Sequence, residues 1–160
     1  MILGAPMTLA LLALVLPASA NDLRGRVGFG FHAGLGSVSA LSVRYALPTG
    51  RPEVNLQVEL DAGAAIADGA PTEVVAGGRG LYGVVAEDNM FLYVAAGAAY
   101  VQDPTDSRVR IQPAVGAEVF FFGLENLGFG VEWGLNLDLG DEPAVRTVSG
   151  APAVTVHYWF

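Results

Sequence analysis

Apolar side chains alternate strictly with polar or small ones over long stretches of this sequence. In residues 127–139 every odd position is leucine, phenylalanine, valine or tryptophan, and every even position is glycine, glutamate, asparagine or aspartate. Residues 53–62 repeat the pattern, with valine, leucine or alanine at the even positions and polar side chains at the odd ones. Successive side chains of a β-strand point to opposite faces, whereas a helix would scatter these residues around its circumference. The alternation therefore predicts β-strands with one apolar and one polar face.

The same alternation, followed along the chain, predicts eight strands. The segments between them are short and carry the glycine, proline, aspartate and asparagine residues that form turns. Strands joined consecutively by such short links form an up-and-down antiparallel sheet. The sequence therefore predicts a single all-β domain with short loops. The predicted strand ranges are 24–34, 37–47, 53–64, 72–84, 90–101, 108–121, 127–139 and 147–160.

The beginning of the chain has the features of an export signal. Residues 7–20 form an apolar run that closes on Ala-Ser-Ala, the small-x-small pattern at which signal peptides are cleaved. The run is too short to span a bilayer comfortably, and a proline interrupts it. We therefore expect a cleaved signal peptide at residues 1–20, a mature domain at residues 21–160, and export from the cytoplasm.

Two closed architectures fit strands with one apolar face, and they differ in which face points inward. A secreted, soluble lipocalin-like barrel would keep the apolar set inside, where it could bind a small apolar ligand. An outer-membrane barrel would turn the apolar set outward to lipid and keep the polar set in its lumen. The period of two alone does not distinguish these alternatives.

Three features favour the membrane barrel. The chain contains no lysine, although a solvated exterior is normally rich in lysine. The predicted strands are about 11 residues long, close to the length that a tilted strand needs to cross a bilayer. Aromatic residues fall toward the strand ends, where a girdle at the membrane interfaces would place them. Because an open edge in lipid would leave backbone groups unpaired, we predict a closed eight-stranded transmembrane β-barrel.

In such a barrel the polar set collects inside the lumen. Eight strands enclose a space just wide enough for side chains to fill, so charged groups there are desolvated together and should form pairs. We expect this pairing to plug the lumen, and a small gated conduit for ions or protons is the alternative. The predicted lumen network consists of Arg44, Glu59, Asp61, Arg79, Arg110, Glu118, Glu132 and Asp138.

Composition and spacing restrict the chemistry. The net charge of −8 argues against nucleic-acid partners, and the absence of cysteine excludes disulfides, thiolate metal sites and cysteine nucleophiles. His32 and His157 are expected at opposite ends of the first and last strands, roughly 20 Å apart, too far for a shared metal or a dyad. Ser37 and Ser39 follow His32, so a lipid A-modifying enzyme is a third alternative. We expect no enzyme activity, no metal and no cofactor.

Two stretches resemble a known family. GAEVFFFGLENLGFGVEWGLNL (116–137) resembles the penultimate strand pair of small outer-membrane barrels of the OmpA type, and VTVHYWF (154–160) looks like their C-terminal assembly signal. The resemblance implies an eight-stranded barrel in the lipid of a bacterial outer membrane, inserted by the barrel-assembly machinery. We therefore expect a small monomeric outer-membrane barrel of structural or undefined role. The residues expected to form the assembly signal are Val154, Val156, Tyr158 and Phe160.

Overall fold

A computed structural model of the chain describes residues 22–36, 38–50, 54–66, 72–140, 143–147 and 152–160. The described residues form strands joined by turns and irregular segments, and they contain no helix. Accordingly, no helical segment among them is long and apolar enough to cross a membrane. The strands are β1 (Val27–Ala33), β2 (Ala40–Ala46), β3 (Leu56–Ala65), β4 (Glu73–Glu87), β5 (Met90–Gln102), β6 (Ser107–Ile111), β7 (Ala114–Phe120), β8 (Leu127–Leu139), β9 (Ala144–Thr147) and β10 (Ala153–Trp159).

The ten segments make up eight strands of a closed antiparallel barrel. Segments β6 and β7 both lie between β5 and β8, so they are two parts of one strand, interrupted at Gln112 and Pro113. Proline lacks the N–H that a ladder needs, which accounts for the break. Segments β9 and β10 both pair with β8 and form the last strand. The last strand then pairs with β1, from Gly28 opposite Trp159 to Ala33 opposite Val154, and this pairing closes the barrel.

The predicted fold class and the number of strands are confirmed. The strand at residues 127–139 has the predicted bounds, and most others differ by a few residues at their ends. The β4 strand continues three residues beyond its predicted end, to Glu87, across an irregularity between Gly83 and Val85. The predicted signal peptide at residues 1–20 lies outside the described residues.

The apolar face of the sheet points outward and the polar face points inward. In β2 the side chains alternate strictly between buried and exposed, with Ser42 and Arg44 inside and Leu41 and Val43 outside. The same holds around the barrel: Leu60 is 67% exposed, whereas its neighbour Glu59 is 1% exposed. Charged side chains therefore occupy the centre of the molecule, in an arrangement opposite to that of a soluble domain.

Apolar clusters lie on both sides of the charged interior. Along β2 the inward positions run from Ala40 through Ser42 and Arg44 to Ala46. Ala40 belongs to a buried apolar cluster with Leu35, Val75, Ala99 and Val101, and Ala46 belongs to another with Leu23, Phe120 and Trp159. The polar residues of this strand therefore lie between two apolar layers.

Candidate functional site

Three neighbouring strands bring a row of charged side chains together. Arg44 on β2 is directly paired with Glu59 on β3, and Glu59 is directly paired with Arg79 on β4. Both arginines donate to the same carboxylate, through Arg44 Nε and through Arg79 Nε, which lies 2.8 Å from Glu59 Oε1. All three side chains are at most 5% exposed. Direct pairing across three neighbouring strands therefore places these side chains in a buried Arg–Glu–Arg row.

The arginines also reach across the lumen to the opposite wall. Arg79 forms a bidentate pair with Glu132 on β8, with nitrogen–oxygen distances of 2.6 and 2.8 Å. Arg44 lies 3.3 Å from Glu118 on β7 and 3.4 Å from Glu132. Charge-assisted bonds in a water-poor interior are the strongest hydrogen bonds available to side chains. The network therefore links β2, β3 and β4 to β7 and β8 through the barrel centre.

Gly116 makes room for one further member of this network. Gly116 on β7 is directly paired with Tyr93 on β5 and with Glu132 on β8. A Cβ at Gly116 would lie 2.5 Å from the Tyr93 ring, so the ring occupies the space that a side chain would take. The Tyr93 hydroxyl donates to Glu132 Oε1 at 2.6 Å. Sequence reasoning did not assign Tyr93 to the lumen, although a glycine on the polar face of β7 was a usable signal.

A second ionic group lies nearer to the Leu35 end of the lumen. Arg110 forms a bidentate pair with Asp138, at 2.6 and 2.9 Å, and donates to the Leu35 carbonyl at 2.7 Å. Gln112 donates to Asn136 Oδ1 at 2.9 Å. All eight residues predicted for the lumen network are therefore buried, and the structure divides them between this group and the central one.

The structure contradicts the predicted separation of the two histidines. Both are fully buried, and they are diagonal neighbours on adjoining strands, because His157 pairs with Gly30 and His32 pairs with Thr155. Such diagonal positions lie about 7–8 Å apart. The prediction of opposite ends was wrong because the register places Thr155, two positions before His157, directly opposite His32.

His157 forms a hydrogen bond that sequence reasoning missed. Its Nε2 lies 2.9 Å from Ser42 Oγ, and its Nδ1 lies 3.9 Å from Glu118 Oε1. Gly30 pairs with both Ser42 and His157, so two side chains on non-adjacent strands can meet across a residue without a side chain. The Ser–His–Glu order resembles a catalytic triad, but Ser42 and His157 are fully buried.

The serines considered beside His32 do not form a dyad with it in the part of the chain that is described. Ser39 is exposed, whereas the His32 ring is fully buried inside the barrel. Ser37 lies outside the described residues.

His32 instead faces a pair of carboxylates. Its Nδ1 lies 3.4 Å from Glu59 Oε1 and 3.7 Å from Asp61 Oδ1, and its Nε2 lies 3.8 Å from Glu132 Oε2. Three potential ligand atoms, one each from His32, Glu59 and Asp61, lie within 4.8 Å of one another. This spacing is suitable for the ligands of one metal ion. Of the described residues, these three are the ones with a buried arrangement that could hold a metal ion.

The turn between β5 and β6 has a different electrostatic character. Asp103 accepts bonds from the Thr105 amide and hydroxyl, at 3.1 and 3.0 Å, and from Arg108 Nη1 at 2.6 Å. The Arg108 guanidinium and the Thr105 bonds hold the pKa of Asp103 well below its usual value. The Asp103 carboxylate is thus hydrogen-bonded within its own turn and to the adjoining strand β6.

The last strand presents its apolar side chains outward. Val154, Tyr158 and Phe160 are 49%, 46% and 72% exposed, and Val156 is half-buried. The Tyr158 and Phe160 rings pack edge to face with centroids 4.9 Å apart. The residues expected to form the assembly signal therefore line the outer surface next to β1.

Comparisons with known proteins support the fold. Neither a protein family model nor a curated protein matches the sequence. Among solved structures, the N-terminal β-barrel domain of Pseudomonas aeruginosa OprF is similar, with a TM-score of 0.61 and 13% sequence identity. The match covers 86% of this chain and 98% of that domain. The expected resemblance in fold is therefore confirmed: this chain is a closed eight-stranded antiparallel barrel similar to an outer-membrane barrel.

Proposed function

We propose that this chain is a small integral outer-membrane β-barrel with a structural role, and that its polar network closes the lumen. The observation that carries the proposal is the inverted distribution of side chains, with ion pairs at the centre and large apolar residues on the outer wall. The similarity in fold to the OprF barrel domain is consistent with a place in the outer membrane.

The outer surface supports insertion into lipid. Large apolar side chains project from every side of the barrel, among them Phe31 at 58%, Leu60 at 67% and Trp133 at 61% exposure. Soluble monomers rarely expose an apolar patch larger than a few hundred Å². The hydrocarbon core of a bilayer solvates these side chains favourably. Closure of the barrel gives the backbone groups of each strand their hydrogen-bond partners.

The interior argues against a carrier of apolar ligands. A lipocalin-like carrier needs an apolar cavity, whereas the centre of this barrel holds Arg44, Arg79 and their carboxylate partners. The same side chains support a plug. Arg79 spans the lumen from β4 to β8, and a buried apolar cluster around Trp159 lies on one side of the charged centre.

The proposed role is not enzymatic. The buried Ser42–His157 pair lies inside the wall, and an attacking group must reach within about 3 Å of a substrate atom. The proposed partners are the surrounding lipid and, during insertion, the barrel-assembly machinery acting on the last strand. We further propose export by the signal at residues 1–20 and a monomeric final state.

Single-channel recording in planar lipid bilayers tests the plug. We expect the folded protein to give no steady conductance, whereas a large-pored porin in the same bilayer serves as the positive control. Insertion is verified independently in lipid vesicles by the faster migration of the unheated protein on a denaturing gel. A steady open conductance from verified protein would refute the plug, and full solubility in buffer without detergent would refute the membrane barrel.

A further inference from the structure

We propose that His32, Asp61 and Glu59 bind one divalent transition-metal cation of the Zn²⁺ class inside the barrel. The site would join β1 to β3 across the intervening β2. The inference does not depend on where the barrel resides, because it concerns only the interior. It departs from the expectation, drawn from the sequence, that the chain has no metal site.

The separations of the ligand atoms suit a small cation. Zn²⁺ binds histidine nitrogen and carboxylate oxygen at about 2.0–2.2 Å in a tetrahedral arrangement, so two of its ligand atoms are about 3.3–3.6 Å apart. His32 Nδ1 lies 3.4 Å from Glu59 Oε1 and 3.7 Å from Asp61 Oδ1. The first separation falls within that range and the second is about 0.1 Å longer, and both are longer than an ordinary hydrogen bond.

Among the described residues, the ligand atoms of His32 and Asp61 have no hydrogen-bond partner. Neither ring nitrogen of His32 and neither carboxylate oxygen of Asp61 makes a hydrogen bond to the described part of the chain. Both side chains are almost completely buried, at 0% and 3% exposure. Leaving a buried carboxylate unsatisfied is costly, and a coordinated cation satisfies the carboxylate and the imidazole together.

The charges of the central cluster lead to the same conclusion. With neutral histidines, its two guanidinium groups leave two of its four carboxylates uncompensated, which matches the charge of one divalent cation. Arg110 does not supply the missing charge, because Asp138 already engages its guanidinium at 2.6 and 2.9 Å. The cluster consists of Arg44, Arg79, Glu59, Asp61, Glu118 and Glu132.

The neighbouring groups set the character of the site. Glu59 Oε1 also accepts from Arg79, so Glu59 is the weakest of the three ligands. A mixed nitrogen and oxygen donor set favours Zn²⁺ or Co²⁺ over Mg²⁺ and Ca²⁺, which prefer oxygen alone. Since the site is sealed, we expect the ion to enter while the barrel folds.

Metal analysis of the folded protein tests the proposal. The full chain is folded into detergent micelles with Zn²⁺, freed of loose metal by a chelating resin, and analysed by plasma mass spectrometry. Folding of each sample is verified by its unheated mobility on a denaturing gel. We expect about one Zn²⁺ per chain, and a loss of at least tenfold in retained metal for His32→Gln and for Asp61→Asn.

A matched variant and a second metal make the result decisive. His157→Gln alters the other buried histidine, which lies outside the proposed ligand set, and should retain the full stoichiometry. Wild-type protein folded with Co²⁺ should show the intense visible bands of tetrahedral coordination, which requires no variant to fold. Metal-free wild-type protein, equal retention by a folded His32→Gln variant, or Co²⁺ without those bands would each overturn the proposal. In that case the charge is balanced by protons on His32 and a carboxylate.

Discussion

Replacement of Arg79 by methionine removes the charge that joins the two walls of the barrel while keeping much of the side-chain volume. Arg79 is 5% exposed, donates to Glu59 at 2.8 Å, and forms a bidentate pair with Glu132 at 2.6 and 2.8 Å. The methionine offers none of these bonds. Both carboxylates stay buried after the change, because the backbone of β3 and β8 holds them inside.

The expected loss of stability depends on which partners each carboxylate keeps after the substitution. Removing one partner of a buried ion pair costs about 3–5 kcal/mol. Glu59 keeps its pair with Arg44, and Glu132 keeps the Tyr93 hydroxyl at 2.6 Å. We therefore expect Arg79→Met to lower the free energy of unfolding by about 3 kcal/mol, at the lower end of that range. At typical urea dependences this moves the unfolding midpoint by about 1–3 M.

Equilibrium urea unfolding in lipid vesicles, followed by tryptophan fluorescence, measures this change. Arg24→Met is the control, since Arg24 pairs with Asp22 at 2.6 Å outside the lumen and should contribute less than about 1 kcal/mol. The double variant Arg79→Met with Glu132→Gln should recover about 1–2 kcal/mol, because it removes the carboxylate left with the weakest partners. If Arg79→Met were as mild as Arg24→Met, the ionic network would not hold the two walls together.

Three further changes probe the wall, the interior and the last strand. Val131→Arg should lower the free energy of unfolding in vesicles by about 2–4 kcal/mol if this side chain faces the bilayer midplane, and a neutral result would mean the faces are reversed. Gly116→Ala should cost about 1–3 kcal/mol in the same assay by displacing the Tyr93 ring, whereas Gly80→Ala, whose Cβ meets nothing within 4 Å, should have little effect. Equal effects at the two glycines would contradict the close packing described. Phe160→Ala should reduce the heat-modifiable protein in outer-membrane fractions, with Phe122→Ala in a turn as the control, and normal insertion would exclude Phe160 from the assembly signal.

The strands and their faces were predictable because they depend on a local property of the sequence. A period of two over residues 127–139 is enough to place Glu132 and Asp138 on one face and Val131 and Trp133 on the other. Which of the two faces points outward was predictable from global properties of the sequence, among them strand length and the absence of lysine. The buried set of charged residues followed directly from these two steps.

The partners of the buried residues were not predictable, because they depend on the register between strands. A shift of two positions between β1 and β10 would move His157 away from Ser42, and no local pattern specifies this register. The interruption at Pro113 was also missed, since apolar alternation continues on both sides of it. Glycines on the polar face, such as Gly30 and Gly116, were the available signal for close contacts between side chains on different strands.

The orientation of the two faces is tested most directly by the two tryptophans of the chain, which lie on opposite sides of the wall. Trp133 is 61% exposed on the outer surface, and Trp159 is fully buried in the lumen. The variants Trp159→Phe and Trp133→Phe each leave one fluorophore, which is measured in vesicles of lipids brominated at several depths along the acyl chain. We predict strong quenching of Trp133 by at least one of these lipids and little quenching of Trp159 by any. Quenching of Trp159 with Trp133 unaffected would contradict a barrel whose apolar face meets lipid.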